Sequence, residues 1–178
     1  MHGTAKIAAL ITLLAATLFV CRAPIAAREG PAGVFVNPLQ SEEPIRTAIE
    51  AALKDFNFLT RPFARSQLKK DNPVIKSVAI THGEKAVTIT LGPSAPNTTE
   101  PGRSAVKWIR PDGEVFDVST AWEGATLVQT FVASYGKRVN RYTLSADGTA
   151  LALRVTLSSP QLKKPLEYQL SFNREMAR

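Results

Sequence analysis

Apolar residues recur at steps of three and four in the first part of the chain, and from Pro73 onward they alternate with polar ones in short runs. The two periods predict different structures. A helix returns to one face every third or fourth residue, whereas successive side chains of a strand point to opposite faces. Ile45, Ala48, Ile49, Ala52, Leu53 and Phe56 mark one apolar face of a helix. Ser41 reads as its N-cap, with Glu42 and Glu43 in the first turn, where carboxylates suit the helix dipole. Thr60 before Arg61-Pro62 predicts a second, shorter helix running to Lys69.

The alternating region predicts eight strands: Val74–Thr81, Ala86–Leu91, Ser104–Arg110, Glu114–Thr120, Ala125–Ala133, Arg138–Ser145, Ala150–Ser158 and Leu166–Arg174. Turn signals at His82-Gly83, Asp112-Gly113, Glu123-Gly124, Tyr135-Gly136 and Asp147-Gly148 separate most of them. A hairpin fixes its own register, because opposed residues share a face. The Asp147-Gly148 turn sets Leu144 against Leu151 and Tyr142 against Leu153, and the last loop sets Val155 against Tyr168 and Leu153 against Leu170. The Tyr135-Gly136 turn sets Gln129 against Tyr142 and Phe131 against Asn140, and the Glu123-Gly124 turn sets Val118 against Leu127. The first hairpin sets Ile80 against Val87. At Asp112-Gly113 a bulged three-residue loop pairs Trp108 with Phe116 and keeps the apolar face continuous.

Five consecutive strands therefore share one apolar face. An antiparallel meander buries such a face either by closing into a barrel or by wrapping around the helix as an open curved sheet. Eight strands suit closure, which also removes exposed edges. The expected fold is thus mainly β, an eight-stranded up-and-down meander forming a closed or nearly closed barrel. An N-terminal amphipathic helix and a short second helix complete it.

The start of the chain reads as a targeting segment. Lys6 precedes an apolar run from Ile7 to Val20, and Ile25-Ala26-Ala27 offers a small-residue cleavage site before Arg28. The run is shorter than the roughly 20 residues that a spanning helix needs, which favours a secretory signal over 1–27. A leader over 28–40 follows, then a helical segment over 41–70 that forms one domain with the meander over 73–174. The expected location is periplasmic or secreted. Cys21 ends the apolar run and supplies an alternative, a lipid anchor, although Val20 stands where lipoprotein signals want a small residue. Cleavage after Ala27 removes the single cysteine, so the mature domain forms no disulfide. It also lowers the formal charge from +7 to +5 by removing Lys6 and Arg22. Outside the cytoplasm such a charge suits anionic envelope surfaces better than nucleic acid, and the row Arg61, Arg65 and Lys69 would present it on one helix face.

Candidate chemistry is sparse. His82 is the only histidine after the signal, so neither a metal site nor a Ser-His-Asp triad can be assembled around it. Ser66-Gln67-Leu68-Lys69 matches the Ser-x-x-Lys of penicillin-recognising enzymes without their companion motifs. Asp112 and Asp147 are accounted for by their turns. No catalytic residue, metal or cofactor is expected. Asn97-Thr98-Thr99 is a glycosylation sequon.

The run Gly124-Ala125-Thr126-Leu127-Val128-Gln129, then Gly136-Lys137, then Asp147-Gly148-Thr149-Ala150-Leu151, and finally Tyr168 to Arg174 resembles the second half of a fatty-acid-binding protein. The wider resemblance is to the calycins, which include the lipocalins, and it covers the last third of the chain. It implies an up-and-down barrel, a likeness of shape that does not carry fatty-acid binding with it. Two family features are altered. Leu170-Ser171-Phe172 stands where that family has the Arg-x-Tyr that holds a ligand carboxylate, and only the short Val34–Val36 segment precedes the helices. The Gly-x-Trp of lipocalins is missing.

These readings lead to a monomeric, non-enzymatic barrel that binds a small apolar or amphipathic ligand. The expected lining is Phe116, Leu127, Gln129, Phe131, Asn140, Tyr142, Leu153 and Tyr168, with Gln129 and Asn140 as the polar groups that orient the guest. The alternative is an envelope interaction module or protease-inhibitor-like barrel with a filled core. It would act through an exposed loop, and the proline-bearing connection from Gly92 to Arg103 is the candidate.

Overall fold

The computed structural model describes residues 30–39, 41–110 and 112–175. Residues 1–27, expected to be a signal, and with them Cys21, lie outside these. Ten strands, not eight, form one antiparallel sheet: β1 (Gly33–Val36), β2 (Ser77–His82), β3 (Val87–Leu91), β4 (Asn97–Thr99), β5 (Val106–Ile109), β6 (Val115–Glu123), β7 (Thr126–Ala133), β8 (Gly136–Leu144), β9 (Ala150–Ser158) and β10 (Leu166–Arg174). Of the two additional strands, β1 takes in the short Val34–Val36 segment noted before the helices, and β4, three residues long, is too short to carry a readable alternation. The expected N-terminal position of the first helix is not supported. Strand β1 precedes both helices, α1 (Glu43–Ala52) and α2 (Arg61–Asp71), which sit between β1 and β2.

The strand order is β4-β3-β2-β1-β10-β9-β8-β7-β6-β5. The sheet curls until β4 meets the far side. There Thr99 and Thr120 share a hydroxyl–hydroxyl hydrogen bond of 2.7 Å, and the Gly102 N–H donates to the Thr120 carbonyl at 2.8 Å. The barrel is therefore nearly closed. Strand β4 lies within the Gly92–Arg103 connection, so the middle of that segment is ladder rather than free loop. Asn97 and Thr99 face inward and are buried, which leaves the sequon asparagine without an accessible side chain.

Hairpin β8–β9 and hairpin β9–β10 have the registers their turns predict: Leu144 faces Leu151, Tyr142 faces Leu153, and Leu153 faces Leu170. Trp108 faces Phe116, as the bulged loop requires. Three other registers differ. Gln129 faces Asn140, Phe131 faces Arg138, Val118 faces Phe131 and Ile80 faces Ile89. Each slip is an even number of residues, so the apolar residues keep their face while changing partners. Glycine placement explains two of the slips. Gly124, at φ +65°, opens its turn rather than closing it. Gly136 already belongs to β8, where a Cβ would lie 2.7 Å from the Ser158 carbonyl oxygen.

The interior is one apolar cluster. Phe35, Val78, Ile80, Leu127, Tyr142, Leu151, Leu153, Val155 and Phe172 have no solvent exposure. Helix α1 inserts Ile45 and Ile49 into this cluster, and Leu53 follows them from a single 3-10 turn. Each such side chain stabilises the fold by roughly 1.5–3 kcal/mol. Helix α2 covers one end of the barrel, hereafter the mouth. Its C-terminus is tied down by Asn72, whose amide donates to the Leu68 carbonyl at 2.9 Å. At the opposite, closed end the segment before β1 is clasped by Arg174. Its guanidinium donates to the carbonyls of Ala32 and Gly148, both at 2.7 Å, and lies over the Phe35 ring. Gly33 makes that clasp fit: its φ is +121°, and a Cβ there would stand 2.6 Å from Arg174 Nη1.

Candidate functional site

Between α2 and the strand ends at the mouth lies a cavity of about 580 Å³. One wall is aromatic. Trp108, Phe116 and Phe131, from β5, β6 and β7, pack with ring centroids 5.9–6.1 Å apart, two of the three pairs edge to face. Leu68 and Ile75 face them from the α2 side, with Leu157 from β9. The Trp108 indole N–H is buried and has no acceptor among the described residues.

Two arginines stand at this end with opposite surroundings. Arg110, on the β5–β6 hairpin, is ringed by acids: Asp112 at 2.7 Å, Glu114 at 2.5 Å and Asp71 of α2 at 3.6 Å. These carboxylates hold its guanidinium charged well above the usual arginine range, its hydrogen bonds to Asp112 contributing most. In return the Asp112 carboxyl is pulled down to about 2. The Tyr135 hydroxyl is pushed up by burial and by its hydrogen bond with Glu114. The Asp71–Arg110 contact links the helical cap to the far wall of the cavity.

Arg138, the first inward-facing side chain of β8, meets no acid. Its Nε donates to Asn140 Oδ1 at 2.9 Å and its Nη2 to the Tyr168 hydroxyl at 3.2 Å. Its Nη1 donates to the Asp71 carbonyl at 3.2 Å and to Asn72 Oδ1 at 3.4 Å. The Tyr168 hydroxyl donates onward to Asn72 Oδ1 at 3.1 Å. Below Arg138 the chain of polar groups continues inward. Asn140 Nδ2 donates to the Tyr142 hydroxyl at 3.1 Å, and that hydroxyl donates to Gln129 Oε1 at 2.7 Å. Complete burial pushes the Tyr142 hydroxyl upward and keeps it protonated. The network ends at Gln129 Nε2, which is buried without an acceptor.

Of the residues expected to line a cavity, Phe116 and Phe131 do so, and Tyr168 lies beneath it through Arg138. Leu127 and Leu153 lie deeper, inside the packed core, with no exposure. Gln129, Asn140 and Tyr142 are brought together by the hydrogen bonds above, at that same depth. Trp108, Arg110, Tyr135 and Arg138 were not singled out from the sequence. Arg138 shares a strand face with Asn140 and Tyr142, and the observed register, which sets it opposite Phe131, is the signal that finds it.

The other residues noted in the sequence offer little chemistry. His82 stacks edge to face on Trp122 at 5.8 Å near the closed end. No group of three metal-ligating side chains occurs among the described residues. In the basic row, Arg61 donates to the carbonyls of Lys54 and Phe56, and Arg65 makes a two-point pair with Glu50 at 2.7 and 2.8 Å. Both hold the two helices together, and Lys69 alone of the three is exposed without such a contact.

No family model and no curated protein matches the sequence. Solved structures do match its shape. Echinococcus granulosus fatty-acid-binding protein 1 superimposes with a TM-score of 0.51 at 10% identity, covering 82% of this chain and 97% of that one. The REP1-NXSQ fatty acid transporter gives 0.50 at 10% identity, over 83% and 97%. The fold is calycin-like. This agrees with the strand order above and with a helical pair inserted after the first strand. The calycin likeness thus extends well beyond the last third of the chain, in which the sequence displays it.

Proposed function

We propose that this chain is an exported, non-enzymatic calycin barrel that binds a small apolar or amphipathic molecule at its mouth. The observation that carries the reading is the cavity of about 580 Å³ with its three-ring wall, a size and lining suited to a small ligand. The two similar structures add support from their names, one a fatty-acid-binding protein and the other a fatty acid transporter. Export rests on the secretory pattern of the first residues, and the intact mass of the envelope-derived protein tests it by showing whether the chain begins at Arg28 or at an acylated Cys21.

The two tryptophans provide a built-in assay. Trp108 lines the cavity, whereas Trp122 sits at the other end of β6. The neutral dye N-phenyl-1-naphthylamine is expected to take up excitation energy from Trp108 when it binds. Trp108→Phe should remove most of that transfer, and Trp122→Phe should leave it largely intact. A dye that neither brightens nor accepts energy from Trp108 would overturn the reading. The packed interior below the mouth is what an envelope interaction module would also show, and function would then pass to that alternative.

A further inference from the structure

The outer face of the sheet carries an arrangement that the barrel itself does not require. Arg141 of β8 and Arg154 of β9 stand directly opposite each other in register. Their sequence neighbours Tyr142, Leu153 and Val155 point into the core, so both arginines point outward. Like charges directly opposed on neighbouring strands destabilise a sheet. The acids nearby compensate only in part. Glu123 lies 3.4 Å from Arg141 Nε without forming a hydrogen bond, and Arg154 Nη2 donates to Glu167 at 3.1 Å. Two guanidiniums carry ten N–H groups between them. Among the described residues one of the ten has an acceptor.

The surroundings add donors and room. Both arginines line a groove of about 380 Å³ in which Glu123 is the one carboxylate. The next row of the ladder sets Thr143 opposite Ala152, short side chains that leave space beside the arginines. Gln169 stands opposite Arg154 on β10 and turns its amide to the same groove. The Thr126 and Thr143 hydroxyls share one hydrogen bond of 3.0 Å, so one hydroxyl hydrogen remains to donate. Glu167 also accepts from the Thr156 hydroxyl at 3.3 Å, which steadies the acid that holds Arg154.

We infer that this groove is a second binding site, for a phosphate group with two negative charges held between Arg141 and Arg154. Opposed side chains have Cβ atoms about 5 Å apart, so two guanidinium forks can close on one tetrahedral ion. Each fork takes two oxygens, and the dianion cancels the charge of the pair, as the single charge of a carboxylate cannot. The Glu123 contact, the longer of the two, is the one the ion displaces. The groove and the mouth cavity lie on opposite surfaces of the sheet, so each reading stands or falls without the other.

Inorganic phosphate is the first probe, titrated into the mature protein at constant ionic strength while NMR follows the arginine Nε–H signals. Those of Arg141 and Arg154 should move together and saturate. Arg141→Gln and Arg154→Gln should each weaken binding about tenfold or more, as loss of a charge-assisted hydrogen bond does. Arg154→Lys, which keeps the charge but not the fork, should fall between. In phosphate-free buffer Arg141→Gln should not lower the melting midpoint, because it relieves a repulsion. Phosphate should raise the midpoint of the unaltered protein and not that of the variant. Methyl phosphate that binds as tightly as the inorganic ion would identify the guest as the terminal phosphate of a larger molecule, and its exclusion would identify the free ion. Equally tight binding of dimethyl phosphate, which has one charge, would overturn the dianion. Shifts that never saturate, or that are as large at Arg46 and Arg103, would overturn the site. So would unchanged affinity in either glutamine variant. A lowered midpoint for Arg141→Gln, with no response of the unaltered protein to phosphate, would make the two arginines structural.

Discussion

The two ends of this barrel are continuations of the same strands, yet they treat their interiors in opposite ways. Toward the closed end, Leu127, Tyr142, Leu151, Leu153 and Phe172 are fully buried, and the polar groups among them bond to one another, with only Gln129 Nε2 left over among the described residues. At the mouth, helix α2 and the β5–β7 wall stand apart, and a cavity remains between them. The difference teaches how a binding site in a small barrel should be sought. A polar residue on an inward face is weak evidence of a site when its neighbours can satisfy it, as Tyr142 satisfies Asn140 and draws on Gln129. The stronger mark is room left beside an apolar wall, as between α2 and Trp108.

The comparison can be broken most directly by truncation. Tyr142→Ala should lower the unfolding free energy by about 3–5 kcal/mol, as for other buried aromatics, and urea denaturation measures it. Phe116→Ala, at the half-buried wall, should cost about 1–2 kcal/mol but weaken dye binding several-fold. Similar stability losses at both sites would mean that the two ends are not packed differently.

A finer test concerns the buried polar chain. Gln129→Leu should cost about 1–3 kcal/mol by leaving the Tyr142 hydroxyl without its acceptor, with neutral-dye affinity unchanged. Adding Tyr142→Phe should recover a good part of the loss, a coupling that a double-mutant cycle reads. A large change in dye affinity with Gln129→Leu would instead extend the site into the closed half.

Smaller effects attach to the cap. Asp71→Asn removes the contact with Arg110, a partly exposed pair worth at most about 1 kcal/mol. Stopped-flow mixing should show faster dye entry, because this contact joins α2 to the opposite wall. The smallest expected effects are those of acid on the two turn aspartates, one at each end. Asp112 and Asp147 both sit at about 2, below the ordinary 3.8. The Arg110 guanidinium is the main cause for Asp112, and the Ser145 hydroxyl is the main cause for Asp147. A carboxyl lowered by folding stabilises the fold fully above about 3.8, and that contribution is lost as pH falls through about 2. Carbon chemical shifts of the two carboxyls followed between pH 5 and 1.5 should give both low midpoints. A midpoint near 3.8 for Asp112 would show that Arg110 does not hold it.

Much of the fold was legible in the alternation of apolar residues, because a face survives any slip of two residues. The pairs Leu144–Leu151 and Leu153–Leu170 were fixed by their loops. The partners of Gln129 and Phe131 were not, since a glycine can open a turn, as Gly124 does, or stand in a strand, as Gly136 does. Strand β4 was hidden because Asn97-Thr98-Thr99 is polar and sits between prolines, although Asn97 and Thr99 face inward. The site suffered more than the fold. Sequence patterning finds apolar faces, and it pointed to the filled half. The cavity depends on where α2 stands relative to Trp108 and Arg138, a long-range arrangement that local spacing does not encode.

Strand β1 lies between β2 and β10, and residues at the two ends of the chain hold each other there: the Glu175 N–H reaches the Val34 carbonyl at 2.8 Å, as Arg174 reaches Ala32. One edge of β1 can pair with β2 early, but its other edge is covered only when β10 arrives. The β1–β10 join thus brings together residues about 140 positions apart, a long-range pairing that is slow to form. A product cut short before β10 would be an unpaired sheet edge rather than a smaller barrel, a substrate for proteases and for aggregation.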